Sequence, residues 1–214
     1  LTVMLLIDVS GSLDFGTSGQ LKRECATEIA ATLAFSAIQN NDKIGVIFFS
    51  DYIEKYIAPK KGRKHILYLI REMLTFTPNS KRTDVGVSLE YLNKVMKHRC
   101  TAFVISDFYT RKDFSQELRI ANKKHDVVAI QIYDPRAKEM PDVGLMKVVD
   151  AETGHEMYID THDARLRKVH NKYWEEREIR LHEMLSQSHV DSVAIATDDD
   201  YVKMLMTLFS KRNR

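Results

Sequence analysis

The chain has 214 residues, 44% apolar and 29% charged, with a formal net charge of only +2. It is long enough to bury a full core, and the near-neutral balance gives no composition-driven case for nucleic-acid or membrane-surface binding. No stretch approaches the ~20 apolar residues of a membrane span, no signal peptide is visible, and two distant cysteines, Cys25 and Cys100, make no disulfide framework, so a reduced, cytoplasmic setting is expected.

The elements alternate. Apolar Leu1–Asp8 reads as a buried strand, and after a Gly- and Ser-rich loop Leu21–Gln39 reads as an amphipathic helix. Lys43–Ser50 is a second strand; Tyr52–Ile57 follows so closely that it must return antiparallel. Prolines 59 and 78 bracket a helix at Arg63–Leu74. Asp84–His98 carries Val85, Leu89, Leu92, Val95 and Met96 at helical spacing. Thr101–Ser106 is a strand, Phe114–Lys123 a helix and Val127–Ile132 a strand. A hairpin, Met146–Asp150 with Glu156–Asp160, is predicted to turn at Glu152-Thr153-Gly154. A long charged helix, about Asp163 to Gln187, has the apolar face Leu166, Val169, Tyr173, Leu181, Met184 and Leu185. Ser192–Thr197 and Tyr201–Phe209 close the chain as strand and helix.

Repeated strand–helix–strand units predict an α/β fold: a doubly wound, mostly parallel six-stranded sheet with helices on both faces, one antiparallel edge strand and an added C-terminal hairpin. One domain is expected over residues 1–214, with a core at 1–133 and 189–214 and an elaboration at 134–188. The chain opens inside a strand, which suggests an excised fragment; a membrane tether upstream is compatible with this reading.

The chemistry concentrates in three segments. Asp8-Val9-Ser10-Gly11-Ser12 places a carboxylate and two hydroxyls where the first strand leaves the core. Asp107 directly follows the apolar strand Thr101–Ser106, and Thr83 lies near the N-terminus of the helix Asp84–His98. In a doubly wound sheet such strand ends meet at the switch point where the strand order reverses. Hard oxygen donors suit magnesium, manganese or calcium rather than zinc. Ser10, Ser12 and Thr83 supply neutral oxygens, and Asp8 and Asp107 bind directly or through water. That set leaves a position for an outside ligand, most naturally a carboxylate. Taken alone, Asp8-x-Ser10-x-Ser12 is equally explained as a turn and helix cap.

Other motifs read as structural. Thr197 is expected to cap the last helix, with Asp198-Asp199-Asp200 at its positive end. His155-Glu156 and His182-Glu183 lack the second histidine of the zinc-protease motif, and His162-Asp163 reads as a helix start. Lys60-Lys61-Gly62-Arg63-Lys64 reads as a solvated loop, Glu175-Glu176-Arg177-Glu178 as an exposed helix face and Trp174 as core. Gly16-Thr17-Ser18-Gly19 lacks the ending of a nucleotide-binding loop.

Asp8-x-Ser10-x-Ser12, then Thr83, then Asp107, each at the end of its element, resembles the metal-ion-dependent adhesion site of von Willebrand factor A domains over about residues 1 to 133. Ile105-Ser106-Asp107-Phe108, Asp134-Pro135-Arg136 with Pro141 and Gly144, and Asp150-Ala151-Glu152-Thr153-Gly154 resemble a bacterial branch, the domain-of-unknown-function-58 family, often encoded beside MoxR-type AAA+ ATPases. The resemblance implies Ser10, Ser12 and Thr83 as direct ligands, Asp8 and Asp107 as mainly water-mediated ones, Mg2+ as the ion (Mn2+ or Ca2+ as alternatives) and a MoxR-like ATPase as candidate partner. Two departures stand out: Leu13 where the broader family often has Met, and Lys81-Arg82 where paired glycines are familiar.

The expected function is therefore non-enzymatic: a monomeric metal-dependent protein-protein interaction module that binds a partner's Asp or Glu through a divalent cation, without nucleic acid and without membrane contact from this segment. The alternatives are a magnesium-dependent phosphohydrolase, disfavoured because Ser10 stands where an acid/base Asp would be needed, and a metal-free scaffold of the same fold.

Overall fold

The computed structural model describes residues 1–16, 20–110, 112–149 and 154–212. Six strands form one sheet: β1 (Thr2–Asp8), β2 (Lys43–Phe49), β3 (Ile53–Lys60), β4 (Thr101–Ser106), β5 (Asp126–Tyr133) and, late in the chain, β8 (Asp191–Ala196). The spatial order is β3-β2-β1-β4-β5-β8, and every pairing is parallel except β2 with β3. Strands β6 (Leu145–Val149) and β7 (Glu156–Asp160) make a separate antiparallel pair. The fold is thus the expected α/β type. The predicted hairpin turn lies largely outside the described residues, as does most of Gly16–Gly19.

Alternation along the strands divides the core in two. On one face Leu5 and Ile7 of β1 pack with α1 (Lys22–Gln39), α2 (Arg63–Thr75) and α7 (Tyr201–Arg212), through Ile29, Leu69 and Leu205 among others. On the other face Met4 and Leu6 pack with α3 (Val85–Val95), α4 (Ser115–Lys124) and α6 (Ala164–Gln187), through Leu89, Leu118 and Leu185. A four-residue helix, α5 (Pro135–Lys138), starts at Asp134, whose carboxylate accepts from the Arg136 amide.

Several boundaries differ from the sequence reading, each for a physical reason. β3 continues through Pro59, which is tolerated because this is an edge strand and its register with β2 shifts there, between Ile44↔Lys60 and Val46↔Ile57. Gly45 of β2 lies so close to β3 that an added Cβ would stand 2.7 Å from the Ile57 carbonyl oxygen, so β2 and β3 approach there as only glycine permits. Helix α3 begins after Asp84, the N-cap, whose side chain accepts from the Val87 amide, and it stops at Val95, where Met96 turns extended.

The long helix buries less than its pattern promised. Leu181 and Leu185 are buried, but Val169 is 68% exposed and Tyr173 47%. The C-terminal half alone reaches the core. Trp174 is not core either: it is partly exposed and stacks on Tyr109. Thr197 does not cap α7. Its hydroxyl is buried without a partner among the described residues, and Asp200 accepts from the Lys203 amide instead.

Candidate metal-binding site

The strand order reverses between β1 and β4, which run side by side from Val3↔Thr101 to Ile7↔Ile105. Asp8 and Asp107 therefore leave the sheet at adjacent positions, the crevice where such folds receive ligands. The loop after β1 is pinned on its flanks. The Val9 amide donates to the Phe49 carbonyl at 2.9 Å, and the Gly11 amide to the Lys81 carbonyl at 3.0 Å. The second of these ties the first segment directly to the Lys81-Arg82 stretch before Thr83.

Ser10 stands at the N-cap of a 3-10 turn, Gly11–Asp14, but makes no side-chain capping bond. Its hydroxyl turns instead toward Ser12 Oγ, 3.0 Å away, and accepts from the Thr83 hydroxyl at 2.7 Å. This separates the two readings of Asp8-x-Ser10-x-Ser12: the serine hydroxyls gather on one another rather than on the turn. Thr83 is held by its own main chain, whose carbonyl accepts from Thr110 Oγ1 at 3.1 Å, while the following Asp84 amide donates to the Ser50 carbonyl at 2.9 Å. Asp8, Ser10, Ser12, Thr83 and Asp107 are all at most 7% exposed. The structure brings all five together, leaving none of them apart.

The two carboxylates differ in electrostatics. Asp8 Oδ1 accepts from the Ser10 amide at 2.8 Å and Oδ2 from Ser106 Oγ at 2.5 Å, both neutral donors. Burial first, and then the charge of Asp107, push its carboxyl up to about 7, against the pull of those hydrogen bonds. Asp107 is also pushed up by burial, but Lys22 outweighs this by charge and hydrogen bond, aided by the Tyr109 amide and Arg177, and its carboxyl ends below the usual range. Lys22 Nζ donates to Asp107 Oδ2 at 2.6 Å, and the Tyr109 amide donates to Oδ1 at 2.9 Å.

Sequence reasoning missed three residues at this site. Lys22 and Ser106 touch the carboxylates. Arg177, read as part of an exposed face, turns inward: it donates to the Asp107 carbonyl at 3.3 Å and its guanidinium lies 4.5 Å from the Tyr109 ring centre. The signal for Lys22 was its place in the first turn of a helix, where a cation opposes the helix dipole. Nothing in the local sequence distinguished Arg177.

The donor set consists of three converging hydroxyls and two buried carboxylates, one of them without a cation partner among the described residues. Such oxygens fit a hard divalent cation. Among the described residues no group of three or more His, Cys, Asp or Glu is arranged to hold a metal, so the histidine–glutamate pairs form no such centre.

A family model described as "Protein of unknown function DUF58" matches residues 1–179. The chain belongs to the DUF58 family. An uncharacterised protein of Mycobacterium tuberculosis (strain H37Rv) is 33% identical over 156 residues, 72% of this chain and 49% of the relative. An uncharacterised protein of Mycobacterium avium is 27% identical over 160 residues, 74% and 94% of the two chains. This DUF58 chain thus spans about half the length of the first relatives it matches.

Among solved structures, the conserved hypothetical protein BatB from Bacteroides thetaiotaomicron aligns over 99% of this chain and 98% of its own, with TM-score 0.65 and 14% identity. An aerotolerance-related membrane protein from Bacteroides fragilis aligns over 99% of both chains, with TM-score 0.67 and 14% identity. The von Willebrand factor A domain of SpRpn10 aligns over 98% of this chain and 94% of its own, with TM-score 0.53 and 12% identity. At these identities the likeness shows the fold, and the DUF58 chain has a von Willebrand factor A-like architecture. Among the described residues no helix is long and apolar enough to cross a membrane.

Proposed function

We propose that this chain is a metal-dependent protein-binding module whose ion takes an Asp or Glu of a partner protein as its last ligand. One observation carries this reading: the Ser12 and Thr83 hydroxyls, from two loops, both lie within hydrogen-bond distance of the Ser10 hydroxyl, beside two buried carboxylates. Ser10, Ser12 and Thr83 would hold the ion, with Asp8 and Asp107 balancing its charge directly or through water. Mg2+ is the first candidate, with Mn2+ or Ca2+ as alternatives. The bound ion supplies a Lewis-acidic position open to an outside carboxylate.

The chain's own residues prepare that position. The Ser10 amide and the Ser106 hydroxyl orient both oxygens of Asp8. Burial, with the charge of Asp107 beside it, raises the Asp8 carboxyl, and a bound cation would offset both. The von Willebrand factor A-like fold supports an interaction role, and a MoxR-type ATPase is the candidate partner on family resemblance. We assign no enzymatic activity. Two residues after Asp8 stands Ser10, whose amide is committed to Asp8 itself, and a phosphohydrolase of the Asp-nucleophile type would need an acid/base there.

A second reading, a metal-free scaffold of the same fold, is favoured by one observation: Lys22 already supplies Asp107 with a positive charge. Affinity capture with the wild-type chain, with and without magnesium or manganese, separates the two. The metal-dependent module predicts a partner retained with the ion, released by chelator and lost in Asp8→Ala. Retention that ignores both chelator and Asp8→Ala overturns it in favour of the scaffold. Turnover of a phosphate-ester panel that vanishes in Asp8→Asn would restore the hydrolase.

A further inference from the structure

Lys22 breaks the local rules of its own helix. It is the first residue of α1, where the helix dipole favours anions, not cations. It is also only 6% exposed, and lysine is almost never so buried unless paired. Among the described residues its amine donates to one atom, Asp107 Oδ2, at 2.6 Å, and the Phe15 ring centre lies 5.9 Å away. Removing two charges from water is costly, so a buried pair of this kind is weak evidence for a stabilising role. A residue that sacrifices helix preference and hydration for one carboxylate points to the site that carboxylate serves.

Charge accounting shows what it does there. Among the described residues Asp8 receives only neutral donors, and Asp107 receives Lys22 and an amide. Arg177 reaches the main-chain oxygen of Asp107, not its carboxylate. Lys22 is thus the cation in direct contact with a site carboxylate among the described residues, and Arg177 adds a second positive charge farther from that carboxylate. A fixed ammonium beside the site repels an arriving divalent cation and, once the ion is bound, attracts the carboxylate that would join it.

We propose that Lys22 is the residue that sets this balance: it weakens binding of the ion by itself and strengthens binding of a carboxylate to the ion-loaded site. Ion and partner then bind jointly rather than in independent steps. This inference rests on the metal-binding reading above and goes beyond it in assigning to a non-ligand the order of affinities.

The test is Mn2+ binding to the whole chain, followed by electron paramagnetic resonance or calorimetry, with and without saturating acetate. Lys22→Met removes charge and hydrogen bond; Lys22→Gln removes the charge and keeps a donor. Loss of one unit charge beside a divalent ion is expected to tighten Mn2+ binding by about tenfold in both variants, even at a high effective dielectric. Acetate is expected to tighten Mn2+ binding in the wild-type chain and to do so less in both variants. Should Lys22→Met not fold, Lys22→Gln alone carries the comparison. Wild-type binding of Mn2+ that is unchanged by Lys22→Gln, or acetate enhancement equal in wild type and variant, overturns the role of Lys22 and leaves the metal site standing. No Mn2+ binding by wild type or variants overturns the metal-binding reading and this inference together.

Discussion

Ser106 Oγ lies 2.5 Å from Asp8 Oδ2 and also accepts from the Phe108 amide at 2.8 Å. One hydroxyl thereby joins the ends of β1 and β4 at the reversal of strand order and shapes the turn that carries Asp107. Phe108 sits at φ 53°, left-handed backbone that a bulky residue rarely adopts. Ser106→Ala would leave a buried carboxylate oxygen short of a donor, at a cost of about 1–3 kcal/mol. Urea unfolding measures the loss, and Mn2+ affinity should weaken in the same variant because Asp8 is no longer held. Unchanged stability and unchanged Mn2+ affinity would show that the bond orients nothing.

Arg177 is the strap between α6 and the loop after β4. Its guanidinium lies 4.5 Å from the Tyr109 ring centre and 4.9 Å from that of Trp174, and it donates to the Asp107 carbonyl. Arg177→Met keeps much of the stem but loses the charge and the fork, which should cost about 1–2 kcal/mol. Trp174 is the only tryptophan, so its fluorescence reports the change directly. A red shift of its emission in the folded variant is expected as its packing on Tyr109 loosens; an unshifted spectrum would mean that α6 docks without this contact.

His125 gives the fold a pH dependence of its own. It is fully buried, its Nδ1 lies 3.5 Å from Cys100 Sγ, and its Nε2 has no hydrogen-bond partner among the described residues. Burial, then Lys124 and Arg99, push its imidazole from the ordinary 6.5 down to about 4. Below pH 6.5 the unfolded chain therefore takes up a proton that the folded chain refuses. Stability from this group is complete above the ordinary value and is lost as pH falls from about 6.5 to about 4, on the order of 3 kcal/mol. Unfolding curves of wild type and His125→Gln at pH 7 and pH 4.5 test it. The wild type should lose more stability than the variant on acidification; parallel losses would show that His125 takes no part.

The sequence by itself determined the order of the elements, the parallel α/β sheet and the five-residue cluster. Apolar period and chain direction decide which end of each strand a residue occupies, and Asp8, Thr83 and Asp107 each sit at an element boundary that those patterns mark. The alternation of Met4, Leu5, Leu6 and Ile7 between two core faces was equally legible, because a strand has only two sides. Helix α6 shows where periodicity stops being enough. Its pattern marks Val169, Tyr173, Leu181 and Leu185 alike, yet only Leu181 and Leu185 are buried, since burial depends on where the sheet lies beneath the helix. Tertiary structure alone decided the charges and tethers of the site. Lys22 meets Asp107 across 85 positions of chain, Ser106 meets Asp8 across 98 and Arg177 meets Asp107 across 70. Ion pairs and hydrogen bonds act over a few ångströms in space, and local pattern carries no record of which distant side chain will fill the space beside a carboxylate.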